Sequence, residues 1–415
     1  MESGYIYLQP KYVSKFKCDG KICPANCCKR DWRILIDEET FEKYSKLESA
    51  AHEITKHLEK NPEGVGWLIE QVDGSCPFMT ENCLCSIQRK HGEEFLSQTC
   101  LSYPRQLYNF GEIVERTLTP TCPLAADLIL RKEKRLDFET VPLKLPGWTK
   151  GNLVVGRTKV PEKIFPCIID IQLTAISILQ ERRLSIDERL IILGYYLFQA
   201  EEIIQRDELS LIETLNKIYT SEEFFLNQMP QLIDSVHFQI LEFAEIIFGV
   251  LNKIYGDDKI LKTEGNGKYI EKFCKAFGVT FGGELNFREL AENYFDLLEI
   301  RKVFVENNQV AFENYLVNDF FGGVYPFKIE GSIQQNYAVF VMAFKILEMI
   351  ALAITALSRD NSQADAEIFK MVTDMSMDLN HNEEYLGALS EELKSKSDIT
   401  IFMRGLLQGG NLQRY

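Results

Sequence analysis

Cys18-Asp19-Gly20-Lys21-Ile22-Cys23-Pro24-Ala25-Asn26-Cys27-Cys28 sets four thiols in one short run, and its reading decides the fold of the N-terminal third. The C-x4-C-x3-C-C gaps are short enough for one loop to wrap a centre, with turn geometry supplied by Gly20 and Pro24. Working outward, Cys76-Pro77-Phe78-Met79, Cys83-Leu84-Cys85, Cys100-Leu101-Ser102-Tyr103-Pro104-Arg105 and Cys122-Pro123 follow. Nine of the 11 cysteines therefore fall in the first 122 residues of a 415-residue chain, where even scatter would leave about three.

Such clustering means disulfides or metal. Disulfides need an oxidising compartment. The start, Met1-Glu2-Ser3-Gly4-Tyr5-Ile6-Tyr7, has neither the basic nor the apolar region of a signal peptide, so a cytoplasmic location is expected. An odd cysteine total also fits poorly with full pairing. Thiolates are soft ligands, and in a reducing cytosol they suit zinc or an iron–sulfur cluster. Adjacent Cys27 and Cys28 point either to two nearby sites or to one ligand beside a supporting thiol. Spacing alone admits a structural zinc knot as readily as a functional cluster. The ferredoxin run C-x2-C-x2-C-x3-C-P is absent. So is C-x3-C-x2-C, since Arg30 stands where Cys23-x3-Cys27 would need its third cysteine.

Charge narrows the partners. The formal net charge is −15. Residues 1–135 hold 19 Lys and Arg against 20 Asp and Glu, leaving 27 of the 46 basic and 41 of the 61 acidic residues beyond. That sign argues against nucleic acid and anionic membranes, and an acidic surface would attract a cationic segment or a sulfonium. Ala338 to Leu357 is apolar enough to suggest a membrane span. Lys345 and Glu348, three apart on one helical face, make a buried core helix the expectation.

The length predicts more than one domain. Trp32 to Ile36 reads as a short strand, and Asp37 caps a predicted helix reaching about Lys60. Leu107 to Thr119 reads as a hairpin turning at Asn109-Phe110-Gly111. Leu136 to Val160, with Pro142, Pro146, Gly147, Gly151 and Gly156, reads as a connecting segment. Beyond Pro161 the chain is helical. Ser185-Ile186-Asp187-Glu188 is a capping box for a helix carrying Leu190, Leu193, Tyr196 and Leu197. Further helices are expected at 230–255, 286–306, 309–321, 333–358, 363–379 and 382–393. The fold class is mixed and mainly α. A small irregular cysteine-rich α+β metal or iron–sulfur domain (1–135) is followed by a connection (136–160) and a larger all-α domain (161–415).

No G-x-G-x-x-G follows a strand, and no P-loop, G-x-S-x-G or H-E-x-x-H occurs. The five histidines form no ligand pattern; His52 and His57 fall on different helical faces. Arg105 could aim its fork at a carboxylate of a cofactor or at cluster sulfides, or make a structural salt bridge. Asn314 to Phe327 combines amides, aromatics and Gly322-Gly323, fitting either a pocket lining or a helix end followed by core packing.

The chain resembles the flagellin lysine N-methylases. The resemblance is carried by Cys18-x4-Cys23-x3-Cys27-Cys28 with Trp32, Cys76-Pro77-Phe78 with Cys85, and Gly92-Glu93 with Leu96-Ser97-x-Thr99-Cys100. It continues through Tyr103-Pro104-Arg105, Cys122-Pro123, Glu313-Asn314-Tyr315-Leu316 and Tyr325-Pro326-Phe327. The cysteine half is also similar to a broader group of zinc- or iron-chelating domains. The resemblance implies an S-adenosylmethionine-dependent protein-lysine N-methyltransferase acting on flagellin. It implies a [4Fe–4S] cluster, with zinc as the alternative, held among Cys18, Cys23, Cys27, Cys28, Cys76, Cys85, Cys100 and Cys122. Cys83 is an additional cysteine, and Leu124 stands where an acidic residue is expected. The competing reading is a non-enzymatic zinc- or iron-chelating protein with a helical interaction domain. The sequence designates no catalytic base and no oligomeric state.

Overall fold

The computed structural model describes residues 6–19, 23, 27–29, 34–48, 50–62, 64–72, 74–130, 134–142, 160–234, 247–249, 251–252, 266–280, 286–358, 360–381, 386–387, 389–391 and 393. The chain forms two compact units, Met1–Leu128 with Phe138–Gly156, and Ile129–Asp137 with Arg157–Tyr415.

The first unit is built from short elements. Strands β1 (Ile6–Pro10), β5 (Arg105–Phe110), β6 (Ile113–Leu118) and β7 (Phe138–Pro142) form a sheet in the order β5-β6-β1-β7. β1 runs parallel to β6, pairing Ile6 with Ile113, and antiparallel to β7, pairing Pro10 with Phe138. The hairpin is present, but its turn lies at Gly111 and Glu112, two residues later than expected, because Phe110 still pairs with Ile113. Gly111 holds φ 82°, a left-handed conformation that glycine adopts without a Cβ clash. β7 lies within the stretch read as connection; the rest of that stretch, 143–159, is outside the described residues.

A second sheet places β2 (Leu35–Ile36), β4 (Trp67–Ile69) and β3 (Leu58–Lys60) side by side. Residues 32 and 33 of the expected first strand lie outside the described residues. The helix expected from Asp37 to Lys60 is broken. Asp37 does cap α1 (Glu38–Ser45), accepting from the Thr40 amide at 2.9 Å, but the chain then makes only α2 (Ala51–Thr55) before β3. Strand pairing of Leu58 with Ile69 buries that end against Ile34, Ile36, Tyr44, Ile54, Phe78 and Ile87, so tertiary packing overrides helical propensity. Short helices α3 (Ser86–His91), α4 (Gln98–Ser102) and α5 (Pro123–Ile129) complete the unit.

The second unit is helical: α6 (Phe165–Leu179), α7 (Ile186–Gln205), α8 (Ile212–Tyr219), α9 (Met229–Asp234), α10 (Gly267–Phe277), α11 (Phe287–Gly322), α12 (Ile333–Leu357) and α13 (Asn361–His381). The capping box at Ser185 and Glu188 is formed, and Ser332 with Gln335 forms another at α12. Two helices were expected across 286–321, whereas α11 is a single helix. Asn308 does not interrupt it, because its amide donates back to the Phe304 carbonyl at 2.9 Å instead of competing for the helical backbone. Most of the expected helix 230–255 and much of 382–393 lie outside the described residues. Helix α12 is long and apolar enough to cross a membrane by composition, yet its apolar stretch is almost wholly buried within the fold and it carries an ion-pair network. It packs closely on α7 where Gly194 faces Tyr337. A Cβ at Gly194 would come within 2.8 Å of that ring, and the Tyr337 hydroxyl donates to the Leu190 carbonyl.

Candidate metal centre and helical polar core

The cysteines are positioned by turns. Cys18 follows the short helical turn Val13–Lys15, and the Cys23 amide donates to the Asp19 carbonyl at 3.2 Å. Cys27 and Cys28 lie in the 3-10 turn Cys27–Lys29. That turn is tied to the next cysteine loop, since the Cys76 amide donates to the Cys28 carbonyl at 2.7 Å. A bridge between Met79 and Cys85 closes the loop and delivers Cys85 to the start of α3. Ser97 caps α4, accepting from the Cys100 amide, and Cys122 immediately precedes α5.

These turns bring the eight sequence-designated cysteines into one electrostatic neighbourhood. Cys27 acts on the thiols of Cys18, Cys28, Cys76, Cys85 and Cys100, and Cys122 is coupled to Cys23 and Cys18. Burial is the leading cause that pushes Cys100 up to about 12 and Cys122 up to about 11. Cys28 is raised mainly by hydrogen bonds with Cys27 and Cys76, and Cys76 is lowered mainly by its hydrogen bond with Cys28. Among the described residues no three His, Cys, Asp or Glu side chains are gathered at ion-binding distance, so the grouping is one of neighbourhood.

The donor set fits a thiolate-bound metal or cluster. The Phe78 amide lies at the Cys76 sulfur, the Ile87 and Gln88 amides at Cys85, and the Leu124 and Ala125 amides at Cys122. Such N–H groups stabilise sulfur in its charged, ligating form and tune iron–sulfur centres. A bound cation would offset both the desolvation and the repulsion between neighbouring thiols that raise Cys18, Cys85, Cys100 and Cys122. Arg105 stands beside this set. Its guanidinium lies 5.3 Å from the Phe16 ring centre, donates to the Leu101 carbonyl and lowers the Cys18 thiol electrostatically. His57 and His91, which carry no ligand spacing in sequence, line a pocket of about 210 Å³ with Lys56, Lys90 and Phe78.

The helical unit has a different polar interior. Lys345 bonds Asp187 and, at 2.7 Å, Glu348, while Arg301 pairs with both carboxylates. Two cations and two carboxylates thus close a neutral network in the core. Burial alone would raise Glu348, but the charges of Arg301 and Lys345 outweigh it and hold this carboxyl low. Glu313 is fully buried and accepts from Arg182 and Arg189, each at 2.9 Å. Asn314, next in sequence, accepts from the Leu136 amide and donates to the Lys134 carbonyl, fastening residues 134–137 to α11. Asp319 and Lys328 lie 3.7 Å apart; burial pushes the carboxyl up and the ammonium down. The segment Asn314 to Phe327 therefore ends α11 at Gly322 and packs into the core, with Tyr325 against Phe320 and Phe340.

One feature of this unit carries no motif. Asn308, Ala311, Phe312 and Tyr315 of α11, Phe344, Leu347 and Ala351 of α12, and Asp365, Ile368, Phe369 and Val372 of α13 line a groove of about 130 Å³. Their i, i+3, i+4, i+7 spacing is visible in the sequence but reads as ordinary core packing.

A family model for the FliB lysine N-methylase C-terminal domain matches residues 172–403. The lysine-N-methylases of Salmonella typhimurium and Salmonella choleraesuis are each 25% identical over 219 residues, covering 51% of this chain and 52% of theirs. The flagellar biosynthetic protein FliU of Salmonella muenchen is 32% identical over 128 residues, covering 29% of this chain and 75% of that protein. The chain thus spans about half the length of the two lysine-N-methylases. No solved structure matches. A family match running from α6 through the polar core and beyond α13, over more than half of the chain, makes this protein a member of the FliB lysine N-methylase family.

Proposed function

We propose that this protein is a lysine N-methyltransferase that acts on flagellin and takes its methyl group from S-adenosylmethionine. The family match across residues 172–403, which contain the whole buried polar core, is the observation that carries this reading. The relatives' names, lysine-N-methylase and flagellar biosynthetic protein, give the reaction and the setting.

The transfer is a single displacement. A substrate lysine loses a proton from its ammonium, its nitrogen forms a bond to the donor methyl, and the sulfonium–carbon bond breaks to leave a thioether. The protein must align the nitrogen with that methyl and keep it unprotonated. Desolvation favours the neutral amine, and the second unit shows the effect on its own Lys328, whose ammonium is pushed down by burial.

Cys18, Cys23, Cys27, Cys28, Cys76, Cys85, Cys100 and Cys122 would supply the thiolates for a [4Fe–4S] cluster or zinc, which when bound cross-links the loops of the first unit. Arg105, beside Cys18, would add a positive charge near that centre. These cysteines precede the matched family region.

The test is incubation of the intact, anaerobically purified chain with methyl-labelled S-adenosylmethionine and unmethylated flagellin. Labelled methyl groups on flagellin lysines support the reading. No incorporation by metal-loaded protein, together with tight metal binding, would establish a chelating protein with a helical interaction domain instead.

A further inference from the structure

The groove between α11, α12 and α13 has the chemistry of a lysine side-chain site. Its geometry follows from helix direction. Phe312 meets Phe344, Phe320 meets Phe340 and Arg301 meets Glu348, so positions rise along α11 as they fall along α12 and the two helices run antiparallel. Helix α12 ends at Leu357, α13 begins at Asn361 and the two pack together, so α13 runs back along α12 and parallel to α11. Asn308 leads the α11 stripe and Asp365 leads the α13 stripe, which puts both polar groups at the same end of the groove.

From that end the walls are aromatic and aliphatic. Phe312, Phe344, Phe369 and Tyr315 supply rings, and Phe312 stands edge-on to Phe344 with centroids 5.6 Å apart. Ala311 and Ala351 leave the room that larger side chains would fill. Asp365 is exposed and Phe312 half-buried, so the groove opens to solvent. The volume of about 130 Å³ leaves room for a slim side chain.

We infer that this groove binds the side chain of the substrate lysine, with its methylene stem along the rings and its charged or methylated nitrogen toward Asp365. A carboxylate at one end of an aromatic slot attracts an ammonium by charge and ring quadrupole together. The apolar walls also favour the neutral amine once the nitrogen passes Asp365, as methyl transfer requires. This assignment rests on the lysine-methylating reading of the protein. Asp365 and the rings are binding residues; no proton transfer is assigned to them.

The experiment is an NMR titration of the full chain with acetyl-Gly-Lys-Gly-amide, its Nε-trimethyl-lysine form and its norleucine form. The lysine and trimethyl-lysine peptides are expected to bind about five- to tenfold more tightly than the norleucine peptide. Asp365→Asn, at an exposed position, removes that preference and keeps norleucine binding. Ala311→Trp, which fills a half-buried position on the groove wall, blocks all three peptides while helical circular dichroism is unchanged. Equal binding of lysine and norleucine peptides would overturn the inference in favour of a plain apolar slot. So would lysine-peptide binding that neither variant disturbs. Methyl transfer to flagellin, measured in parallel, separates the two readings. Transfer with unchanged KM and kcat in both variants overturns the groove and leaves the activity. Lysine preference without any transfer by the parent chain overturns the activity and leaves the groove.

Discussion

The two units place polar chemistry in opposite settings. In the first, strands of two to six residues and short helices enclose small cores, and the grouped thiols, of which Cys76 and Cys122 are buried, act on one another electrostatically. In the second, long helices bury a large core and carry balanced ion pairs inside it: Lys345 and Arg301 with Asp187 and Glu348, and Arg189 with Glu313. A unit with so little apolar burial needs a cross-link, and a thiolate-bound metal would be one. Long packed helices can tolerate buried charge because every charge has a partner.

The largest expected effect separates the units. Where the first unit holds the proposed metal, stripping it should remove folding free energy on the order of 10 kcal/mol. Limited proteolysis should then cleave within residues 6–142 while fragments covering 160–380 persist. Simultaneous loss of protection in both regions would break the contrast.

Within the helical unit, Lys345→Met leaves two buried carboxylates with Arg301 alone, and Glu313→Gln leaves Arg189 buried without a counter-charge. Each should cost about 3–5 kcal/mol in urea unfolding followed by circular dichroism. Arg182→Ala removes the half-exposed partner of Glu313 and should cost about 1 kcal/mol or less. Equal losses for Glu313→Gln and Arg182→Ala would show that burial does not set the scale. The capping boxes sharpen the comparison further. Ser185→Ala and Ser332→Ala should each lower stability by about 1 kcal/mol, read in the same unfolding curves.

The smallest effect is at Glu139 on β7. Hydrogen bonds from Ser14 and then Gln9 hold its carboxyl below the ordinary glutamate value of 4.5. A lowered native value makes the contribution complete above the unfolded pKa and lost as pH falls through the folded one. The parent chain should therefore lose slightly more stability on acidification below pH 4.5 than Glu139→Gln, as read by thermal melts at a series of pH values.

What was legible in the sequence follows the same division. Helical period announced α7 and α12, with a capping box read in advance only at α7, and Lys345 three residues before Glu348 already argued for a buried helix. The hairpin was readable from its strands, although pairing of Phe110 with Ile113 moved its turn. β1 and β7 carried too little pattern, since their pairing partners lie over a hundred residues away in the chain. The split of 37–60 into α1, α2 and β3 depends on β4, which local sequence cannot show. The cysteine set was visible as spacing; its amide donors and the Cys27–Cys28–Cys76 contacts required the fold. The groove at Phe312 and Asp365 had no motif, because three ordinary helical stripes from separate parts of the chain make it.

The contrast between the units turns on the proposed metal centre, so the most direct measurement is iron, acid-labile sulfide and zinc content, with the visible spectrum, on protein purified without oxygen. About four iron and four sulfide per chain, lost when Cys27 and Cys76 are replaced by serine while the helical unit stays folded, is the predicted result. Protein with neither iron nor zinc, whose first unit is as resistant to proteolysis as the helical unit, would contradict it.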